Sequence, residues 1–143
     1  METAIHERLI AAATEVRERA YTPYSHYKVG AALLGKSGRI YTGCNVENVS
    51  YGATICAERS AVVKAVSEGE TTFTALAVIA DGDLPASPCG ICRQFLSEFG
   101  GDLRLILANL RGERKEITLR ELLPQAFDSQ YLEQSANQAT DER

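Results

Sequence analysis

The residues Phe73 to Ala80 (Phe-Thr-Ala-Leu-Ala-Val-Ile-Ala) constrain this chain more than any other stretch. The run is apolar almost throughout and is closed by Asp81-Gly82-Asp83 and Pro85, so it reads as a central strand covered on both faces. A strand of that kind needs a helical layer on each side of its sheet. The other strands are expected at 28–34 and 39–44, joined as a hairpin through Gly35-Lys36-Ser37-Gly38, and at 103–109 and 113–119 about Arg111-Gly112. Ile5, Leu9, Ala12, Val16 and Ala20 recur at helical spacing and predict a first helix ending before Thr22-Pro23. A second helix is expected from about 56 to 66, with an Ala/Val interior that predicts burial on most sides. Ser87 as N-cap and Pro88 at the first helical position open a third, which carries Cys92, Phe95, Leu96 and Phe99 on one stripe. A short fourth helix at 119–123 is halted by Pro124. The order predicts an α/β protein, a mixed sheet of about five strands between helical layers. One domain is expected over 1–127, with a polar tail over 128–143.

A chain of 143 residues suits one domain, and at this size roughly 68–70% of the unfolded surface is buried on folding. Hydrophobic residues at 45% and charged residues at 24% exclude a disordered chain. With 15 Lys+Arg against 19 Asp+Glu the net charge is −4, which argues against nucleic-acid binding through a basic field. No apolar run approaches the ~20 residues of a membrane span, and the N-terminus Met1-Glu2-Thr3-Ala4-Ile5-His6 has no secretory apolar core. We therefore expect a cytoplasmic protein without nucleic-acid or membrane partners. In a reducing compartment its four cysteines are free, catalytic or metal-bound rather than paired.

Three of those cysteines form a pattern. Cys89 and Cys92 are three apart at an expected helix start, so both sulfurs can reach one ion. Cys56 opens another helix, and a helix N-terminus favours the thiolate that a metal requires. Three thiolates leave the fourth tetrahedral position of a zinc ion open, as in a catalytic site. Glu58 is two residues past Cys56, which inside a helix separates the two side chains by roughly 200°. Both face one site only if the helix begins at Cys56. A redox pair at Cys89/Cys92, or a structural four-cysteine zinc with Cys44 as fourth ligand, are the competing readings of these residues.

The stretch Cys56-Ala57-Glu58 followed by Pro88-Cys89-Gly90-Ile91-Cys92 resembles the signature of the zinc-dependent cytidine deaminase superfamily. Pro23-Tyr24-Ser25, Val29-Gly30-Ala31-Ala32, Gly43-Cys44-Asn45-Val46-Glu47-Asn48, Cys92-Arg93-Gln94 and Glu121-Leu122-Leu123-Pro124 extend the likeness to its small homotetrameric class. The resemblance implies a three-layer α/β/α sandwich, one zinc per chain on Cys56, Cys89 and Cys92, and a small nucleoside as the partner. It implies hydrolytic deamination of cytidine and 2′-deoxycytidine, with Glu58 moving protons between water and the base. Asn45 and Glu47 correspond to the ribose-binding pair, Ala57 to a backbone contact with the base edge, and Tyr27 to the ring that faces the pyrimidine, where many relatives carry Phe. Phe127 resembles an aromatic donated to a neighbouring subunit's site. Arg59, three residues after Cys56, is placed to draw charge from the thiolates, because zinc and three thiolates sum to −1.

Three other functions compete. A deaminase acting on nucleic acid requires a basic groove, and the basic residues here are scattered. A deaminase of a nucleoside antibiotic of the blasticidin type would share the zinc motif but lack the Asn-x-Glu sugar pair. A non-enzymatic zinc module would leave Glu58 dispensable.

Overall fold

The structure is a computed structural model that describes residues 2–133. Its order is α1 (Glu2–Arg17), β1 (Val29–Gly35), β2 (Ile40–Cys44), a 3-10 turn (Tyr51–Ala53), α2 (Ala57–Ser67), β3 (Phe73–Ala80), α3 (Gly90–Ser97), β4 (Arg104–Asn109), β5 (Arg114–Thr118) and α4 (Leu119–Leu122). The sheet runs β2-β1-β3-β4-β5. Only β3 and β4 pair in parallel, so the sheet is mixed.

The apolar run from Phe73 is the middle strand, and it splits by pleat. Leu76, Val78 and Ala80 join Ala31, Leu33, Leu105 and Leu107 under α2 and α3, whereas Ala75, Ala77 and Ile79 join Ala32, Ile106 and Ala108 under α1. Two of the three β3 side chains on the α1 face are alanine. That lets Leu9, Ile10 and Ala13 of α1 sit close to the sheet. This is the three-layer sandwich expected of the fold class.

Two helix boundaries and one burial pattern differ from expectation. The first helix stops at Arg17, short of Ala20, because the amides of Glu18, Arg19 and Ala20 turn to carbonyls three residues back. α3 starts at Gly90 with Cys89 as N-cap, and Ser87, the expected cap, instead accepts a hydrogen bond from Arg93 Nη2 at 3.1 Å. On α2, burial is confined to Ala57, Glu58, Ala61, Val62 and Ala65, while Val63 and Val66 stay 47% and 41% exposed. α4 is set by a capping box, in which Thr118 and Glu121 exchange side-chain and backbone hydrogen bonds. In the expected tail, residues 129–133 are helical and Tyr131 stacks on Phe127 with ring centroids 5.5 Å apart; residues 134–143 lie outside the described ones.

β1 and β2 support α2, while β3 and β4 flank the crossover through α3. The N-termini of both helices therefore open at the same side of the sheet.

Candidate active site

Cys56 is the N-cap of α2 and Cys89 the N-cap of α3, both with extended backbone (ψ 156° and 169°), and Cys92 is buried in the first turn of α3. The three sulfurs lie within 4.8 Å of one another, Cys56 and Cys89 at 3.8 Å. Metal–sulfur bonds of ~2.3 Å to tetrahedral zinc put neighbouring sulfurs about 3.8 Å apart, so the spacing suits the ion. All four cysteines are free, and Cys44 is not part of the cluster. The donor set is thus three thiolates that could hold zinc.

The cluster readily carries negative charge. Hydrogen bonding from Cys92, and then from Arg59 and Cys89, lowers the Cys56 thiol to about 5 against its partial burial. Two helix N-termini act in the same direction. Cys92 is raised by that shared hydrogen bond and by burial. Arg59 directs Nη2 to Cys56 Sγ at 3.6 Å and to the Thr54 carbonyl at 3.3 Å. Its Nε is buried without a partner.

Glu58 is only 3% exposed. Burial, followed by the charge on Cys56, raises its carboxyl to about 7, so it exchanges protons near neutrality. The angular conflict with Cys56 disappears because Cys56 lies outside the helical repeat. Ala57, fully buried, occupies the first helical position between them.

A cavity of about 280 Å³ opens beside the cysteines and is lined by Tyr27, Asn45, Glu47, Cys56, Ala57, Glu58 and Cys89, with Ser25, Val29, Thr54, Val78, Ala86 and Ser87. Asn45 is clamped: its Oδ1 accepts from the Val29 amide at 2.9 Å and its Nδ2 donates to the Tyr27 carbonyl at 2.8 Å. One Nδ2 hydrogen is left for a ligand. Glu47 Oε1 accepts from the amides of Tyr24 and Ser25 at 3.0 and 3.1 Å, and its Oε2 from the Ser25 hydroxyl. Those bonds hold the carboxyl below its usual range, the Ser25 hydroxyl contributing most. Tyr27 sits half-exposed at the mouth, its phenol raised by partial burial and then by the Glu58 charge.

Phe127 lies apart from this cavity and is 58% exposed, its carbonyl accepting from Gln94 Nε2 at 2.9 Å. Two residues that spacing did not single out also bear on the site. Arg93 ties the metal loop to the C-terminal segment, donating to the Pro88 carbonyl at 2.9 Å and the Leu122 carbonyl at 3.0 Å. Ser25 reaches Glu47 from 22 residues away, a contact that no local pattern encodes.

A mixed sheet that brings two cysteine-capped helix N-termini together beside a buried carboxyl defines a metal-dependent hydrolase site of the deaminase type. Residues 3–108 match the family described as cytidine and deoxycytidylate deaminase zinc-binding region. The chain belongs to that zinc-binding family, and Cys56, Cys89 and Cys92 form the cluster that could hold the metal. It is 52% identical over 133 residues to the cytidine deaminase of Sporosarcina psychrophila, the match covering 92% of this chain and 98% of the relative. With the cytidine deaminase of Halalkalibacterium halodurans it shares 50% identity over 125 residues, 87% of this chain and 95% of the relative. The crystal structure of cytidine deaminase from Burkholderia pseudomallei superposes with a TM-score of 0.83 at 46% identity, covering 85% of this chain and 98% of that one.

Proposed function

We propose that the protein hydrolyses cytidine and 2′-deoxycytidine to uridine and 2′-deoxyuridine with release of ammonia, as a step of pyrimidine salvage in the cytoplasm. The observation that carries this reading is one cavity lined by two of the three clustered cysteines, a buried carboxyl of pKa about 7 and an Asn/Glu pair suited to a sugar hydroxyl. Zinc on Cys56, Cys89 and Cys92 supplies the Lewis acidity that makes water nucleophilic near neutral pH. Glu58 takes a proton from the attacking water and delivers it to N3 of the cytosine ring. It then moves the second proton to the amino group leaving C4. Asn45 and Glu47 are aimed alike and hold the ribose 3′-hydroxyl, Asn45 donating and Glu47 accepting. Both sugars carry that group, so both nucleosides are substrates. Ala57 offers its backbone to the base edge, and the Tyr27 ring packs on the pyrimidine. Arg59 withdraws charge from the Cys56 sulfur.

The working form is a homo-oligomer of four chains, in which Phe127 completes a neighbour's site. Phe127 supports this as an exposed aromatic that lies outside its own chain's cavity and is available to a neighbour's. The acidic balance speaks for a free nucleoside over a polynucleotide. No helix among the described residues is long and apolar enough to cross a membrane.

An ultraviolet assay of the zinc-loaded protein with cytidine, 2′-deoxycytidine, CMP and cytosine tests the proposal. Turnover of the two nucleosides alone is expected; turnover of CMP alone, or of nothing, refutes it. Glu58→Gln should keep zinc and lose a factor of ~10² to 10⁴ or more in kcat. Light scattering should give the mass of four chains, and a fully active monomer would remove Phe127 from the site.

A further inference from the structure

The loop between α1 and β1 builds a closed ring of hydrogen bonds around the sugar-binding pair. The Ser25 hydroxyl donates to Glu47 Oε2 and accepts from the Tyr27 amide at 3.0 Å. The Tyr27 carbonyl accepts from Asn45 Nδ2 at 2.8 Å. Asn45 and Glu47 are one residue apart on the segment whose middle residue, Val46, bridges to Tyr21 and Ile55. The ring Glu47–Ser25–Tyr27–Asn45 thus closes on itself.

Within that ring the two Glu47 oxygens differ. Oε1 accepts two backbone amides and is filled. Oε2 accepts only from Ser25 among the described residues, which leaves it one position for an incoming hydroxyl. The direction of that position is set by the Ser25 oxygen. His26, between Ser25 and Tyr27, has φ 59°, a left-handed conformation uncommon outside glycine, and the Ser25–Tyr27 bond spans it. The loop accepts a strained backbone where it brings the serine oxygen onto the carboxylate.

We infer that Ser25 is a positioning residue for nucleoside recognition: its hydroxyl fixes the Glu47 carboxylate in the orientation that accepts the sugar 3′-hydroxyl. This deepens the proposed function and rests on it. Among the described residues no hydrogen bond joins Ser25 to Glu58 or the cysteines, so its effect falls on binding and not on the chemical step. Without the hydroxyl, Tyr27 keeps its bond to Asn45, and Glu47 is held through Oε1 alone, so Oε2 loses the partner that orients it.

The test uses zinc-loaded full chain and two substrates, 2′-deoxycytidine and 2′,3′-dideoxycytidine. For Ser25→Ala we expect KM for 2′-deoxycytidine to rise about tenfold, the effect of one hydrogen bond to a charged group, with kcat within about twofold. With 2′,3′-dideoxycytidine, which lacks the hydroxyl Glu47 reads, variant and wild type should have the same kcat/KM. Ser25→Thr keeps an oxygen at the same place and should hold KM near wild type. An unchanged KM in Ser25→Ala overturns the inference. So does an equal loss on both substrates, or a chain that loses its fold or zinc in both variants, because each marks a merely structural role. A wild-type protein inert toward every nucleoside would instead overturn the function itself, and this inference with it.

Discussion

Gly43→Ala tests how closely the sheet and the active-site helix depend on each other. Gly43 lies on β2 opposite Ala31 of β1, directly beneath α2. A Cβ built there meets the Ala57 carbonyl oxygen at 2.7 Å and Ser60 Cβ at 2.8 Å, and the Ala61 amide nitrogen is nearer still. Ordinary contact begins at 3.4 Å, so α2 must retreat by about 0.7 Å or more, and the closest obstacles are backbone that no rotamer change can clear. Overpacking of this kind costs about 2–3 kcal/mol, a fall in thermal midpoint of roughly 5–10 °C. The displaced helix starts at Cys56 and Ala57 and carries Glu58, so the same methyl should weaken zinc and lower kcat, by up to ~10²-fold for a misplacement near 1 Å. Urea unfolding and zinc titration at one fixed metal concentration read both effects. Two comparisons separate them. Gly30→Ala drives its Cβ into the Ala13 carbonyl of α1, on the other face, and should cost stability without loosening zinc. Gly52→Ala meets nothing within 4 Å and should change stability by less than ~0.5 kcal/mol. A Gly43→Ala protein as stable as Gly52→Ala, with unchanged zinc affinity, refutes the reasoning.

Further outcomes follow from the site and its surroundings. Cys44→Ala should retain zinc and Cys89→Ala should lose it, as measured by metal analysis of the purified variants; loss of zinc in Cys44→Ala would return the four-cysteine structural site. Arg59→Gln should lower kcat, and adding Cys56→His should recover part of the loss because one thiolate charge is removed; full activity in Arg59→Gln refutes the charge-relief argument. Glu70 bonds the Ser37 amide at 2.9 Å, the Ser37 hydroxyl at 2.6 Å and the Tyr41 hydroxyl at 2.8 Å, and those to Ser37 foremost pull its carboxyl below 4.5. Because the folded value is the lower one, the stabilisation is present above pH 4.5 and fades as pH falls through the folded value. Glu70→Gln should therefore be less stable than wild type at pH 7, and chemical denaturation at stepwise lower pH should show the gap close; a gap that widens on acidification refutes this.

Much of the architecture was legible along the chain because it follows from local periodicity. The run from Phe73 to Ala80 implied a strand buried on both faces, and from that a sheet between two helical layers. The spacing of Cys89 and Cys92, with Cys56 at another helix start, implied one metal site, since ligands a turn apart share a face. Helix ends were less legible: Ser87-Pro88 carries the expected signal, yet the helix begins at Gly90 with Cys89 as N-cap, and Ser87 accepts from Arg93 instead. There a side-chain bond from six residues along the chain takes the serine hydroxyl from a capping role worth ~1 kcal/mol.

What the sequence determined by itself was the fold class and which residues are candidates for the chemistry, because hydrophobic period and ligand spacing act over one or two turns. What only the tertiary structure decided was the state of those residues. The folded chain leaves Cys44 out of the sulfur cluster, and it brings the Ser25 hydroxyl onto Glu47. It also buries Glu58 until its carboxyl rises to about 7, where a proton can be both taken and given. Desolvation and hydrogen bonding act through space, so their strength depends on which segments meet, and segments 22 to 33 residues apart meet only once the sheet has formed.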